Sequence, residues 1–358
     1  MFQSELKICF LIPSLNAGGI ETYLLRFLQQ IDNEISTVVI IKSDEKGDLF
    51  HEYLKTGTKI THKKIGYLNL IAWLRLYKFF KFERFTAICD MGANFAGIPL
   101  TIARCAKIKK RVAFYRQSSH HFSTTGYKLM YARFVNWLVI KHATVILTNS
   151  QHALNFYFNK RIDNRFKVIK NGVNKELFEI EEDRDQLRKY FGLPNDKIIV
   201  GHTGRVVHAK NHQTIFKVAR SVCLDNKNVV FVLAGNGTRD LPDQDGMITL
   251  GYCSEIPKLL KTFDLFYFPS ITEGQPNALI EAMISGLPFV ASDIPPIKEC
   301  VPESHFSQLV MATDIQASKE KIEEIIRSNY KDNYCCKIWS INEYDASINY
   351  KRFIDELI

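Results

Sequence analysis

Short apolar runs alternate along the chain with longer segments in which apolar residues recur every three or four positions. The short runs are rich in Val, Ile and aromatic residues, which favours strands, whereas the longer spacing is that of a helix with one buried face. Strands are therefore predicted at residues 7–12, 37–41, 87–89, 111–114, 144–148, 167–169, 198–203, 229–234, 248–250, 265–268 and 289–292. Helices are predicted between them, among others at 21–30, 151–158, 214–224, 255–261 and 278–285.

This alternation is typical of parallel sheets covered by helices, because parallel strands need a crossover connection. The strands form two series, and 358 residues are enough for two domains. The predicted fold class is α/β, with two Rossmann-like doubly wound domains. We place the first at residues 1–170 and the second at 171–335, with the turn Asn171-Gly172 and an acidic stretch at the boundary. A terminal helix, capped by Ser340, is predicted within residues 336–358.

Charge is divided unevenly between the two predicted domains. Residues 1–170 hold 26 basic and 11 acidic residues, a net charge of +15, while residues 171–358 hold 21 and 27, a net charge of −6, which together give +9. The basic half is expected to meet an anionic partner. The eight cysteines form no C-x-x-C pair, which favours reduced thiols in a cytoplasmic protein over a zinc site. No long apolar run and no signal-peptide pattern occurs, so we expect no transmembrane helix.

Two glycine-containing loops each follow a predicted strand and open a helix, and in open parallel sheets ligands bind beyond such strand ends. Gly18-Gly19 lets backbone N–H groups approach an anion at a helix N-terminus, or makes a plain turn. In the second domain Gly204 is followed by Arg205 and Lys210. A planar guanidinium and a compact ammonium could together hold one diphosphate. The alternative is two solvated surface cations.

The stretch 268–283 joins a strand to a helix and contains two glutamates. Asn277 is predicted to cap the helix, which leaves Glu273 in the loop and Glu281 one turn into the helix. The N–H groups at residues 274–278 are then available to an anion. Because carboxylates repel phosphate, the glutamates are expected to accept hydrogen bonds from sugar and ribose hydroxyls. The alternative is a capping glutamate and a helix-surface glutamate.

With these motifs, the second half resembles the donor-binding domain of retaining GT-B glycosyltransferases of family four. Each motif alone is common, but here they occur together and in the order of that family. The first half is similar only through Gly18-Gly19, Glu21 and the strand–helix alternation. The matching motifs lie at residues 168–174, 204–205 with 210, 234–237, 250–252, 263–266, 273–277, 281–283 and 286–288.

The resemblance implies a role for each matching residue in a cleft between the two domains. Arg205 and Lys210 would hold the donor diphosphate and act in catalysis with Glu273, which would bind the transferred sugar. Glu281 would bind the ribose, and the backbone at Tyr252 would face the nucleobase. Such enzymes need no metal or cofactor, because cations and helix dipoles stabilise the leaving diphosphate. The donor-binding set implied in this way is Gly18, Gly19, Arg205, Lys210, Tyr252, Glu273, Gly274, Gln275, Pro276, Asn277 and Glu281.

The first domain departs from the family after the strand at residues 111–114. The family often has a histidine immediately after this strand, whereas here the nearest histidines, His120 and His121, come a few residues late. His120 is the candidate catalytic residue of this loop, Arg116 is an alternative, and a loop without direct chemistry is a third. Asp90, at the end of another strand, is expected to be a solvated aspartate rather than part of an acceptor site.

The first domain also combines apolar and basic residues in one segment. Residues 72–81 predict a helix with an apolar body and a basic edge, which suits an anionic bilayer surface. A core-packed helix with snorkelling cations is the alternative. Nucleic acid is a disfavoured partner, because no recognition motif accompanies the basic residues.

From the resemblance and the charge we expect a cytoplasmic glycosyltransferase, with peripheral contact to the inner membrane face as a further expectation. Its implied donor is a nucleotide diphosphate sugar, UDP before GDP, and the reaction retains the anomeric configuration. Its acceptor is expected to be a lipid-linked saccharide in the synthesis of a capsule, exopolysaccharide or O-antigen. The alternatives are a nucleotide-sugar isomerase or hydrolase on the same fold, and a non-catalytic nucleotide-sugar-binding protein.

Overall fold

The structure is a computed structural model. It describes residues 6–16, 18–32, 34–43, 47–66, 69–92, 95–116, 126–158, 163–328 and 334–358. The chain forms two compact units, Met1–Gly172 with Ser347–Ile358, and Val173–Ala346. Among the described helices, none has both the length and the apolar character needed to cross a bilayer.

The first unit is built on a parallel sheet of seven strands, in the order β3-β2-β1-β4-β5-β6-β7. The chain runs outward from β1 in one direction and then from β4 in the other, so the order reverses beside β1. Ligand sites in such sheets lie at the carboxyl ends of the strands near this reversal. The strands are β1 (Lys7–Ile12), β2 (Ser36–Ile41), β3 (Lys59–His62), β4 (Ala87–Asp90), β5 (Lys110–Tyr115), β6 (Val145–Thr148) and β7 (Phe166–Val168).

Helices cover both faces of this sheet, which is why its central strands are continuous apolar runs. Alternate strand residues on one face form a core with α3, α4, α5 and α6, so these helices lie in a single layer. The helices of the unit up to this point are α1 (Gly19–Leu28), α2 (Phe50–Lys55), α3 (Leu70–Glu83), α4 (Gly97–Cys105), α5 (Gly126–His142) and α6 (Gln151–Phe158).

The second unit has a parallel sheet of six strands, in the order β10-β9-β8-β11-β12-β13. Its strands are β8 (Ile198–Thr203), β9 (Val229–Ala234), β10 (Met247–Gly251), β11 (Leu265–Phe268), β12 (Phe289–Ser292) and β13 (Leu309–Val310). One face packs against α9, α10 and α13 and the other against α8 and α12. The helices are α7 (Arg184–Tyr190), α8 (His212–Asp225), α9 (Ile256–Lys261), α10 (Asn277–Ile284), α11 (Pro295–Lys298), α12 (Ile315–Arg327) and α13 (Tyr334–Glu343).

The last helix, α14 (Ala346–Asp355), belongs to the first unit. Phe353 packs against Phe27 of α1 and Phe114 of β5, with ring centroids 4.7 and 5.2 Å apart. Lys167 binds Glu356 at 2.6 Å. The terminal segment is therefore held to the first sheet by an aromatic cluster and an ion pair.

The structure differs from the predicted elements at the sheet edges and near the C-terminus. The short edge strands β3 and β13 were not predicted, because neither is a buried apolar run. The predicted cap at Ser340 is wrong. Ser340 lies inside α13, where its hydroxyl donates to the Cys336 carbonyl at 2.7 Å, and α14 begins only at Ala346.

Candidate active site

Two loops at the carboxyl edge of the second sheet carry the predicted cations and the first predicted glutamate. They follow β8 and β11, which are neighbouring parallel strands, so both loops lie at the same edge. The Ile271 N–H donates to the Ala209 carbonyl at 2.9 Å. The side-chain amide of Asn211 donates to the carbonyl of Pro269 at 3.1 Å. These bonds join loops that are distant in sequence.

Lys210 and Glu273 form an ion pair between the two loops. Nζ of Lys210 lies 2.7 Å from Oε1 of Glu273, and the two side chains are only 19% and 11% exposed. Nζ also lies 4.6 Å from the centroid of the Phe268 ring. This shielding makes the charges act more strongly than they would at a fully solvated surface. Lys210 is therefore not a solvated cation, and Glu273 is joined to the loop that follows β8.

The backbone before Arg205 is fixed by the loop that follows β9. The Gly204 N–H donates to the last carbonyl of β9 at 2.8 Å, and the Val206 N–H donates to the Asn236 carbonyl at 2.9 Å. Gly235 has a φ of +145°, and a Cβ there would lie 2.1 Å from the Gly204 carbonyl oxygen, so only glycine fits. Arg205 itself is exposed. The guanidinium thus extends from a fixed loop and is accessible to an anion.

The helix that carries Glu281 begins differently from the prediction. Pro276 occupies the cap position and Asn277 is the first helical residue, without a side-chain cap, so the predicted Asn277 cap is wrong. Proline suits a helix start because it has no N–H to leave unsatisfied. The Asn277 N–H donates to the Gln275 carbonyl at 3.0 Å and is not available to an anion. Glu281 lies in the second turn and is half-buried.

The segment assigned to the nucleobase lies at the end of β10. Gly251 donates to the Thr238 hydroxyl at 2.9 Å, and its carbonyl accepts from the Gly235 N–H at 2.7 Å. These bonds occupy the Gly251 amide inside the unit. Tyr252 follows and is 70% exposed, so its ring is accessible for stacking.

A buried histidine pair, which the sequence did not point to as part of the site, lies behind Lys210. The rings of His202 and His212 meet edge to face at 5.2 Å, and Nδ1 of His202 lies 3.0 Å from the Tyr267 carbonyl. Because a carbonyl can only accept, Nδ1 carries the proton and Nε2 is the acceptor. Burial lowers the pKa of His202 to about 3. The neighbouring imidazole is therefore neutral and adds no charge beside Lys210.

In the first unit, the Gly18-Gly19 loop leads directly into α1. Gly18 is the cap residue and makes no side-chain cap bond, and Gly19 is the first helical residue. A Cβ at Gly18 would meet Oε2 of Glu21 at 2.5 Å, whereas a Cβ at Gly19 would meet nothing within 4 Å. The space beside the Gly19 backbone can therefore admit a ligand.

The remaining predicted residues of the first unit differ in their surroundings. Asp90 is fully buried and both its oxygens lie 2.8 Å from Nζ of Lys42, so the expected solvated aspartate is wrong. Arg116 follows β5 and is also buried. His120 and His121 lie outside the described residues. Within the described ranges, no group of three or more His, Cys, Asp or Glu side chains is placed to hold a metal ion.

Two family models match this chain, one in each half. A family model described as glycosyl transferases group 1 matches residues 183–338, and one described as glycosyltransferase family 4 matches residues 17–177. The putative glycosyltransferase EpsF of Bacillus subtilis is 25% identical over 82% of this chain and 80% of its own length. A UDP-Gal:α-D-GlcNAc-diphosphoundecaprenol α-1,3-galactosyltransferase of Escherichia coli is 31% identical over 36% of this chain and 37% of its own.

The fold is also that of a solved structure. Anabaena HepE in complex with UDP and glucose matches with a TM-score of 0.82, 19% identity and 98% coverage of both chains. This likeness establishes the two Rossmann-like domains of a GT-B fold. The family models cover most of the chain, one in each half. The chain therefore belongs to the family-four glycosyltransferases of the GT-B fold, and it is a transferase.

Proposed function

We propose that this chain transfers a sugar from a UDP-sugar, with retention of the anomeric configuration, to a lipid-linked saccharide in surface polysaccharide synthesis. The observation that carries the proposal is the shielded Lys210–Glu273 pair beside the loop of Arg205. Both cations lie on the ligand edge of the second sheet, where a diphosphate would bind.

The ammonium of Lys210 can bind a leaving phosphate without giving up its glutamate. An ammonium has three N–H donors, and one of them reaches Glu273. The other two can donate to phosphate oxygens, and Arg205 can add a planar pair of donors. Developing negative charge on the leaving diphosphate is then stabilised without a metal ion. We propose that Glu273 fixes Lys210 and accepts from a hydroxyl of the transferred sugar.

The comparisons support UDP as the nucleotide. The solved HepE complexes contain UDP with glucose, and UDP-glucose, and the E. coli relative is named for UDP-Gal. That relative is also named for a diphosphoundecaprenol-linked acceptor, which supports a lipid-linked saccharide as the acceptor here.

The outer surface of the first unit supports an acceptor held at an anionic membrane. On α3 the exposed residues form one stripe that is apolar or basic throughout, and α5 carries a second such stripe among its described side chains. Both helices lie in the layer on the same face of the sheet. Such a surface matches a bilayer that is apolar inside and negatively charged outside. The stripes are Leu70, Ile71, Leu74, Arg75, Lys78, Lys81 and Phe82 on α3, and Met130, Arg133, Phe134, Trp137 and Lys141 on α5.

Transfer is tested by incubating the purified chain with UDP- and GDP-sugars and a synthetic lipid-diphosphate saccharide. We expect UDP release that depends on the acceptor, and a product whose new linkage has the anomeric configuration of the donor by NMR. An inverted linkage would overturn the retaining mechanism. Acceptor-free turnover would favour an isomerase or hydrolase, and UDP binding without product would favour a binding protein.

Membrane contact is tested by sedimentation with vesicles of phosphatidylcholine alone or mixed with phosphatidylglycerol. We expect the chain to sediment with the anionic vesicles only, and Leu74→Glu to remain in the supernatant, because the change places a charge in the apolar stripe. Leu177→Glu is the matched control, since Leu177 is similarly exposed but lies in the second unit. Equal binding of both variants would remove α3 from the contact surface.

A further inference from the structure

Arg116 is a buried cation that lacks most of its hydrogen-bond partners. It follows β5 at the ligand edge of the first sheet and is only 6% exposed. Its Nη2 donates to Oδ1 of Asn171 at 2.5 Å, but its Nε and Nη1 have no hydrogen-bond partner among the described residues. The guanidinium stacks on the Tyr23 ring, 3.4 Å from the centroid. Aromatic stacking stabilises the cation, and the buried Tyr23 hydroxyl is a neutral oxygen that brings no negative charge to the guanidinium.

Arg188 shows how this chain buries an arginine for structural purposes. It is 4% exposed, and its Nη2 binds Oδ2 of Asp264 at 2.7 Å. Its Nε donates to the Thr262 carbonyl at 3.0 Å, and its Nη1 donates to backbone carbonyls. Every nitrogen of the Arg188 guanidinium therefore has an acceptor. Arg116 is buried to the same degree, but none of the described residues gives it a carboxylate, and its Nε and Nη1 lack the acceptors that the same atoms of Arg188 have. A buried polar group without a partner destabilises a fold.

A second unpartnered atom belongs to the residue that contacts the Arg116 backbone. Asn149 donates from Nδ2 to the Arg116 carbonyl at 3.3 Å, while its Oδ1 is buried and has no donor in the part of the chain that the structure describes. Asp90, the buried acid of the neighbouring strand β4, already binds Lys42. Residues 117–125, which follow Arg116, include no Asp or Glu in the sequence. A missing acceptor for Arg116 and a missing donor for Asn149 therefore occur together.

We propose that Arg116 binds an oxyanion of the substrate, with Asn149 accepting from a hydroxyl of the same molecule. The proposal rests on the proposed sugar transfer, and it adds that one substrate carries a negative charge besides the nucleotide diphosphate. Two sources have this chemistry. One is the carboxylate of a uronic acid, and the other is a phosphate next to the acceptor sugar. A guanidinium fits both, because it presents paired donors to two oxygens of either group.

The test measures thermal unfolding of the full chain with saturating UDP, at constant ionic strength. UDP occupies the cations of the second unit, so an added anion reports on other sites. D-glucuronate is compared with D-glucose, and inorganic pyrophosphate with sulfate. We expect one of the two anions to raise the unfolding temperature of the wild type, which identifies the source. Arg116→Met should weaken binding of that anion by about 10- to 100-fold, as expected for lost charge-assisted hydrogen bonds. Lys258→Met removes a surface cation of the second unit that pairs with Glu182 and Glu255, and it should leave binding of the anion unchanged.

A stability measurement separates binding from a structural role. Without an anion, we expect Arg116→Met to unfold at the same temperature as the wild type or higher, because the variant lacks the uncompensated buried charge. An Arg116→Met chain that is strongly destabilised, together with a wild type that responds to neither anion, would overturn the proposal. Arg116→Lys covers the case in which Met disturbs the fold, since it keeps the charge and should keep part of the response. A missing UDP response alone would count against the proposed function and not against Arg116.

Discussion

Separating the Lys210–Glu273 pair tests whether it serves the reaction or only the fold. Lys210→Met leaves a carboxylate that is 11% exposed without the cation 2.7 Å away, and breaking a buried pair in this way costs about 3–5 kcal/mol. The pair keeps some exposure, so we expect the lower end of that range. Glu273→Gln removes the charge but keeps an oxygen for Lys210, so its cost should be closer to one charge-assisted hydrogen bond, about 1.5–3 kcal/mol.

The double variant Lys210→Met/Glu273→Gln gives the decisive comparison. Neither partner is left alone in it, so its stability should exceed the value expected from adding the two single changes. The transfer rate should not recover in parallel, because the leaving diphosphate still lacks its ammonium. By analogy with removal of one donor from a preorganised anion site, we expect kcat to fall by about 100- to 1,000-fold whenever Lys210 is absent.

Stability is measured by urea unfolding, and kcat by UDP release with acceptor present. Lys258→Met is the matched control, because Lys258 forms ion pairs of 3.0 and 3.2 Å with Glu182 and Glu255 on the open surface. It should change neither quantity measurably. If the double variant regained wild-type kcat together with its stability, Lys210 would be a structural residue and our account of the leaving group would be refuted.

Three further predictions follow from single positions. Gly235→Ala should lower both stability and UDP affinity, because its Cβ meets the Gly204 carbonyl. Gly57→Ala is the control: Gly57 has a positive φ but nothing within 4 Å of its Cβ, so in urea unfolding this variant should lose stability without a change in UDP affinity. Gly19→Ala should keep full stability, since its Cβ meets nothing, and any rise in KM for the donor would then report a ligand close to that backbone. His202 has a pKa of about 3 in the folded chain, whereas a histidine of the unfolded chain is protonated below about pH 6.5. As the pH decreases below about 6.5, the free energy of unfolding should therefore decrease, by up to about 1.4 kcal/mol per pH unit. His202→Asn should flatten that fall in urea titrations, and an unchanged slope would contradict the assignment.

The sequence revealed most of the strands because they are buried on both faces. β9 and β11 are uninterrupted apolar runs, and β1 is one from Ile8 onward. Such runs are visible in a single sequence. β3 reads Lys-Ile-Thr-His and is largely accessible, so its only distinguishing feature is its pairing with β2. That pairing depends on the tertiary structure and leaves no pattern in the local sequence. The start of α10 was misplaced by one residue because Pro276 and Asn277 both favour a helix start, and local preference alone did not rank them.

The site could be predicted residue by residue but not as a set of contacts. Lys210 and Glu273 were each placed after a strand, and the order of a Rossmann-like sheet makes these two strands, β8 and β11, neighbours. No pattern in the sequence indicates that the two side chains meet in an ion pair. The same limit explains Asp90, which was expected in solvent because it ends a strand. Its partner Lys42 follows β2, and β1 lies between β2 and β4, so the ion pair reaches across a strand. His202 carried no sequence signal, since a buried neutral histidine resembles any other strand residue.

The division of charge between the halves can now be related to particular surfaces. The second half is net negative, so a diphosphate would not be drawn to it by overall charge. In the proposed function local cations hold the diphosphate instead, and Lys210 and Arg205 are the candidates at one sheet edge. Glu273 does not cancel this attraction, because it fixes an ammonium that keeps two N–H donors. The excess of basic residues in the first half lies partly on the outer stripes of α3 and α5, where cations alternate with exposed apolar side chains. A free phosphate would contact only the cations, and packing in a protein core would bury only the apolar residues. An anionic bilayer contacts both kinds of residue, which is why we favour it as the partner of that surface.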